Sequence, residues 1–253
     1  GGTILYYQDK SATVVVDSQF PEQAKQLIAE LQKKSEIPFD LLINTHHHGD
    51  HSGGNIAFKG LVKEVLAHSQ SKINQENQAK ARNTEASQYY PTQTFTDNRC
   101  IDIGKEKICL HYFGPGHTNG DALVHFENAN IVHMGDLLNH KRYPNIDRTA
   151  GASMENWMLI LDRAYNVFDR KTVFVCGHAL DPHMITVKKE YLREMKFFFE
   201  NLLAHVKKEI LAGKTKEEII TQPQVPGMDD WKDPSSFAKV LFETAYIELT
   251  AGA

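Results

Sequence analysis

Few cysteines, few tryptophans and no long apolar run set the first limits on this sequence. Three cysteines in 253 residues, Cys100, Cys109 and Cys176, exclude a dense disulfide scaffold. No apolar stretch approaches the roughly 20 residues that a membrane-spanning helix needs, and no charged start with an apolar centre reads as an export signal. Because residues 3–7 already read like a strand, a leader could precede position 1, and a periplasmic or secreted location stays open. The 28 Lys and Arg are scattered and are outnumbered by 32 Asp and Glu, for a net charge of −4. No basic field is present to attract nucleic acid, and neither a nucleic-acid nor a membrane partner is expected. No G-x-S-x-G elbow offers a serine nucleophile, and no internal repeat or linker is visible. The 41% hydrophobic content suffices for a full core in one large domain, or in one domain with a helical appendage.

The order of elements indicates the class. Residues 3–7 and 12–17 read as paired strands. From Pro21 on, Ala24, Leu27, Ile28 and Leu31 follow helical spacing, and Phe39 to Thr45 is a buried strand. A short helix near Asn55 and a strand over 64–68 follow. Residues 69–98, rich in Gln, Asn, Ser and Lys, show no clear period beyond one surface helix and are the best candidate for a flap, with Tyr89, Tyr90 and Pro91 closing it over an apolar substrate. Strands are expected over 99–103, 107–113, 121–126, 130–134 and 171–176, with a helix opening after Ser153. Helices then dominate: 187–212, a short one after Thr215, and one capped by Asp233 with Pro234 at its first position. Mixed in this order, strands and helices imply two sheets covered by helices, an α/β sandwich. In CIDIGKEKIC, a two-residue turn at Gly104-Lys105 sets Ile101 opposite Ile108, Asp102 opposite Lys107 and Cys100 opposite Cys109. A cross-strand disulfide is feasible there in an exported protein; two reduced cysteines in a cytosolic hairpin are the equal alternative.

Histidine is the outlier of the composition, with 13 copies. Four of them and an aspartate fall within six positions of THHHGDH, His46 to His51. On an extended segment His46, His48 and Asp50 project to one side, and a bend at SGG turns His51 to join them. Imidazoles with a carboxylate suit borderline-soft Zn²⁺. Three further candidates each follow a glycine at the end of an apolar strand: His117 in FGPGH, Asp136 in IVHMGD and His178 in VFVCGH. Strand ends that converge on one rim would bring them to the histidine loop. Cys176, on the buried side of Gly177, is better explained by packing than by chemistry.

Through THHHGDH, GPGHTNGD, HMGD and CGH the sequence resembles the metallo-β-lactamase superfamily over about residues 3–180. The resemblance implies an αββα four-layer sandwich with the metal site at one edge between the sheets; a catalytic domain is expected over 1–185, and the helices beyond it, which are not diagnostic of the family, are expected as a C-terminal extension over 186–253 packed on the same domain. It further implies two Zn²⁺ per chain: His46, His48 and His117 on one, Asp50, His51 and His178 on the other, and Asp136 bridging both, with coordination left open for a hydroxide that attacks a carbonyl. Asp50 is then placed to orient that hydroxide and shuttle its proton. His48 stands where a diiron branch carries glutamate, which favours zinc. Asp136 stands where one β-lactamase subgroup uses cysteine, and a bridging aspartate is typical of thioesterases, lactonases and several phosphodiesterases. The expected function is hydrolysis of a small ester, thioester, lactone or lactam. A histidine-rich-type β-lactamase, a phosphodiesterase and a non-catalytic metal binder are the alternatives.

Beyond the metal set, Asn139, His140, Arg142 and Tyr143 are candidates to line the substrate cleft, with Tyr143 able to donate to an oxyanion; a polar surface loop is the competing reading. Asp17 and His68, at strand ends, are candidates to fix the metal loop, against plain strand-end capping. His47 is expected to point away from the metals.

Overall fold

The computed structural model describes residues 1–34 and 37–251. Five strands, β1 (Leu5–Gln8), β2 (Thr13–Val16), β3 (Phe39–Asn44), β4 (Val62–His68) and β5 (Gln93–Phe95), form the first sheet in that order, antiparallel at β1–β2 and parallel thereafter. The second sheet carries β6 (Asn98–Ile103), β7 (Glu106–His111), β8 (Leu123–Phe126) and β9 (Ile131–His133). The two-residue strand β10 (Asn139–His140) belongs to neither; β11 (Val173–Val175) continues the second sheet beyond β9. A further short strand, β12 (His178–Ala179), pairs with β10, and β13 (Thr186–Val187) closes the second sheet against β11.

Strand alternation explains the layers. Val14 and Val16 of β2 and Leu41 and Ile43 of β3 face Ile108, Leu110 and Val124 of the second sheet. The intervening Val15 and Leu42 face the other way, onto Ala24, Ile28 and Leu31 of helix α1 (Pro21–Lys34). A single turn, α2 (Gly49–Ser52), follows β3, and α3 (Ser69–Arg82) follows β4. The outer face of the second sheet is covered by α4 (Met154–Val167) and α5 (Glu190–Leu211), with α6 (Lys216–Ile220) and α7 (Ala238–Thr250) beyond them; one continuous core joins Val132 and Phe174 to Trp157, Phe199 and Phe242. The result is the αββα sandwich with extra C-terminal helices. Those helices share the second sheet's core.

Three departures have physical causes. The segment 69–98 is no open flap: α3 buries Ser71, Gln75 and Ala79, a small and polar stripe that hydropathy does not register, and β5 pairs with β4. Tyr89 packs against the α1 side of the first sheet, so the Tyr89-Tyr90-Pro91 group does not cover a substrate cleft. The last helix starts at Ala238 rather than at Pro234, because Ser236 adopts φ 59° and breaks helical continuity. Asp233 still caps it, accepting N–H bonds from Phe237 and Ala238 at 2.6 and 2.7 Å.

The 98–111 hairpin has the expected register, with Cys100 opposite Cys109 and Gly104 at φ 59° in the turn. The two cysteines form a disulfide, leaving Cys176 free and buried. Thiol titration in denaturant should accordingly find one thiol per chain before reduction and three after it. Replacing both Cys100 and Cys109 by Ser should lower the unfolding free energy by about 2–3 kcal/mol, read from denaturant melts.

Candidate metal centre

The loop after β3 bends through Thr45, His46 and His47, and His48, extended at φ −61° and ψ 148°, leads into α2 at Gly49. His46 thus sits in a bend and Asp50 and His51 on a helical turn, rather than on the strand path the alternation implied. His117 lies in the loop after β7, Asp136 in a short helical turn after β9, and His178 at the start of β12. Backbone bonds lock these loops together: Ala122 N–H to Thr45 O at 2.8 Å, and Gly177 N–H to Gly135 O at 2.8 Å and to Leu138 O at 3.0 Å.

Of the three glycines before ligand candidates, Gly135 supplies a left-handed turn, with φ 51°. Gly177 is needed for space instead. A Cβ there would sit 2.2 Å from Asp136 Oδ1 and 2.6 Å from the Gly135 carbonyl oxygen.

All seven side chains converge. His48 Nδ1 lies 3.2 Å from His46 Nε2 and 2.8 Å from His117 Nε2. His178 Nε2 lies 3.1 Å from Asp50 Oδ2 and 3.4 Å from His51 Nε2. Asp136 stands between the two groups, with Oδ1 3.0 Å from His51 Nε2, and Oδ2 3.3 Å from His178 Nε2 and 3.6 Å from His117 Nε2. His46, His48, His117 and Asp136 form one set able to hold a cation, and Asp50, His51 and His178 another.

The outward nitrogens decide what faces inward. His51 Nδ1 donates to Asp17 Oδ2 at 2.8 Å and His117 Nδ1 to the Asn145 carbonyl at 2.9 Å. His48 Nε2 donates to Asp147 Oδ2 at 2.9 Å. Thr45 gives its hydroxyl proton to Asp17 Oδ2 at 2.8 Å, so its oxygen is free to accept from His46 Nδ1 at 3.1 Å. With their outer ring protons fixed, His46, His48 and His117 turn bare lone pairs inward, and His51 turns its Nε2 to Asp136 Oδ1. Three lone-pair nitrogens beside a buried carboxylate fit a cation, and this donor set suits zinc.

Charge regulation agrees. Burial, reinforced by the neighbouring imidazoles, drives the pKa of His46 well below its usual value and that of His117 to about 4. At His51 and His178 burial acts in the same direction but is outweighed by carboxylates, Asp136 and Asp17 at the first, Asp136 and Asp50 at the second. His51 is raised well above the ordinary histidine range and His178 to about 9. Asp136 and Asp50 are held below the usual carboxylate range, because the facing histidines overcome the cost of burial.

The remaining candidates separate. Asp17 touches the loop directly, also accepting from Thr45 N–H at 2.8 Å. His68 does not: its Nε2 bonds to the Thr96 carbonyl, its ring stacks on Tyr112 at 3.9 Å, and it caps α3 by accepting from Gln70 N–H. Asn139 and Arg142 line a cleft of about 910 Å³ that also contains His48, Asp50, Asp136 and His178. Tyr143 is absent from that cleft. It is buried in the core, its hydroxyl accepting from Val225 N–H at 2.7 Å, so it offers nothing to an oxyanion. His140 also lies outside the cleft lining and packs against the Tyr191 ring at 4.9 Å. His47 stays out of those two sets, though with His48 and Asp147 it forms a third group close enough to hold a cation; it is buried, with Nε2 3.6 Å from Asp147 Oδ2, and burial lowers its pKa to about 3.

Sequence reasoning missed Asp147, which holds His48, and the arginines Arg82 and Arg148, which line the cleft. None has a spacing relation to the histidine loop that could have marked it.

A family model described as the metallo-beta-lactamase superfamily matches residues 1–178. Among curated proteins, a type 2 metallo-beta-lactamase of Elizabethkingia meningoseptica is 24% identical over 199 residues, 76% of this chain and 77% of that protein. The metallo-beta-lactamase IND-1 of Chryseobacterium indologenes is 22% identical over 69% of this chain and 70% of its own. Among solved structures, a metallo-beta-lactamase from Pontibacter korlensis aligns with TM-score 0.62 and 23% identity, over 76% of this chain and 83% of that one. A double mutant of the sec-alkyl sulfatase PisA1 aligns with TM-score 0.75 and 15% identity, over 98% of this chain and 47% of that one.

Two predictions follow from the hydrogen-bond shell. Asp147→Ala should weaken zinc binding at the His46, His48 and His117 set by about 10- to 100-fold, measured by chelator competition. Because His178, raised to about 9, is protonated in the metal-free protein at pH 7, and His51 is raised in the same direction, metal uptake must displace protons, and affinity should climb as pH rises from 7 toward 9. Calorimetry in buffers of different ionisation enthalpy reads that release; uptake without proton release would refute it.

Proposed function

This chain belongs to the metallo-β-lactamase superfamily of metal-dependent hydrolases, and from that premise we propose that it is a dinuclear zinc hydrolase acting on a small carbonyl compound: an ester, thioester, lactone or lactam. The observation that supports the reading is the convergence of seven imidazole and carboxylate side chains, with outward partners fixing the rings of His46, His48, His51 and His117. In this reading His46, His48 and His117 hold one zinc, Asp50, His51 and His178 the other, and Asp136 is shared. When bound, the metal pair supplies an activated water at neutral pH and polarises the electrophile.

The chain's own groups supply the rest. Asp50 is open to the cleft on one side and accepts from His178 on the other, and its carboxyl stays ionised. It is placed to orient the attacking water and accept its proton. Asp17 and Asp147 prevent the rings from rotating, so the donors are arranged before substrate arrives. The Cys100–Cys109 bridge supports an oxidising compartment.

A second reading, hydrolysis of a sulfate ester, is favoured by one observation. The sulfatase fold extends through the C-terminal helices to 98% of this chain, whereas the lactamase structure covers 76%. The partner in either case is a small molecule.

Metal analysis should give about two zinc per chain, and His48→Ala should abolish the first site together with turnover. Assay of a lactam, a lactone, a thioester, an alkyl sulfate and a bis-phosphate ester separates the readings. Turnover of a carbonyl substrate supports the first, sulfate-only turnover the second, phosphate-only turnover overturns both, and full activity in metal-stripped protein refutes the metal mechanism.

A further inference from the structure

The cleft that holds the metal set is not electrostatically neutral on its protein side. Arg82 enters it from the last turn of α3, Arg142 from the loop after β10 and Arg148 from a short helical turn. Among the described residues none of the three forms an ion pair. Arg142 donates to the Ser235 hydroxyl at 2.6 Å, and among the described residues the side chains of Arg82 and Arg148 have no hydrogen-bond partner. The acids of the same cleft are engaged elsewhere: Asp147 with His48, Asp50 and Asp136 with the metal-set histidines, and Glu243 with Lys216 at 2.6 Å, although Glu243 also feels the charge of Arg148. At the cleft wall the Arg82 and Arg148 guanidinium groups are thus unpaired, and that of Arg142 has one neutral partner.

The opposite character comes from the C-terminal segment. Lys232 is stitched to the loop after β10 by Lys232 N–H to Lys141 O at 3.0 Å and Tyr143 N–H to Lys232 O at 2.8 Å. That seam brings Phe237 and Val240, at the start of α7, into the cleft wall, where Phe20 and Ile146 add apolar surface. These C-terminal residues lie beyond the matched family region, which ends at residue 178.

We propose that the cleft selects amphiphilic anions, with Arg82, Arg142 and Arg148 taking an oxyanion group of the substrate and Phe237 and Val240 taking its apolar body. Guanidinium is suited to the role, since it stays charged at any working pH and pairs bidentately with carboxylate, sulfonate or phosphonate oxygens. Focused in a concave site, such charges also draw anions from solution. A cleft of about 910 Å³ accommodates a small head with an alkyl or aryl body. The inference rests on the hydrolase reading for its substrate, but binding tests it independently of turnover.

The experiment is calorimetric titration of the zinc-loaded protein with hexanoate, hexane-1-sulfonate, hexylphosphonate and, as the neutral control, hexan-1-ol. At least one anion should bind about tenfold or more tightly than the alcohol, and which one does so identifies the head group. The double variant Arg82→Gln, Arg148→Gln should erase most of that preference, whereas Lys208→Gln, on the far helix α5, should not. Val240→Ala should weaken hexanesulfonate but leave ethanesulfonate unchanged; this variant removes two methyl groups and so tests the wall without the larger cavity of Phe237→Ala. Equal affinity for alcohol and anions, or anion binding undiminished in the arginine variant, would overturn the proposal, since the metals alone would then explain it. Anion selectivity with no turnover of any ester sustains the rim and refutes hydrolysis; turnover of neutral esters without anion selectivity does the reverse.

Discussion

The hydrogen bonds on the outward nitrogens of the histidines are the constraint on which the rest of the structure depends. Asp17, buried completely, accepts from His51, from the Thr45 hydroxyl and from the Thr45 backbone. One carboxylate therefore sets His51 directly and His46 through Thr45. Asp147 does the same for His48, and the Asn145 carbonyl for His117. A ring free to turn would present an N–H inward as readily as a lone pair, and the donor set would dissolve into a cluster of mutually bonded imidazoles. Asp17 occupies a left-handed backbone conformation, φ 61°, at the end of β2. That conformation is uncommon for a residue with a side chain, and aspartate is among those that tolerate it best.

The sheets contribute by bringing strand ends to one place. β2 and β3 run parallel and finish side by side, which delivers Asp17 to the loop of His46. β9 and β11 run parallel in the second sheet and deliver Asp136 and His178. The second pair is sealed by the bonds of Gly177 N–H to the 135–138 turn, and by a backbone so close that no side chain fits at position 177. Precision in the centre thus comes from backbone contacts between loops, supported by a close-packed core between the sheets.

Most of the fold was legible because its signals are local or periodic. The stripe Ala24, Ile28 and Leu31, the alternation through Val14 to Val16, and the charge-matched hairpin over 98–111 each follow from spacing. The segment 69–98 was less legible, since α3 buries serine, glutamine and alanine, and its stability comes from contacts such as Gln75 to Asn44 that no hydropathy pattern encodes. Asp233 read correctly as a cap but wrongly as an immediate one, because the turn at Ser236 is a backbone state that serine does not announce.

The sequence by itself determined the chemistry: H-x-H-x-D-H, followed by three glycine-led donors at strand ends, limits the site to nitrogen and carboxylate ligands of a metal. What only the tertiary structure decided was which polar neighbours serve that site. Tyr143 and His140 sit four to seven residues past Asp136 in the chain yet fall outside the cleft, while Arg82, 54 residues before Asp136, lines it. Asp147 reaches His48 across 99 positions. Ligand motifs are short-range because one loop must hold several donors to one ion. The groups that orient those donors and those that would receive a substrate come from whichever elements packing places alongside, and that arrangement is settled by burial over the whole chain.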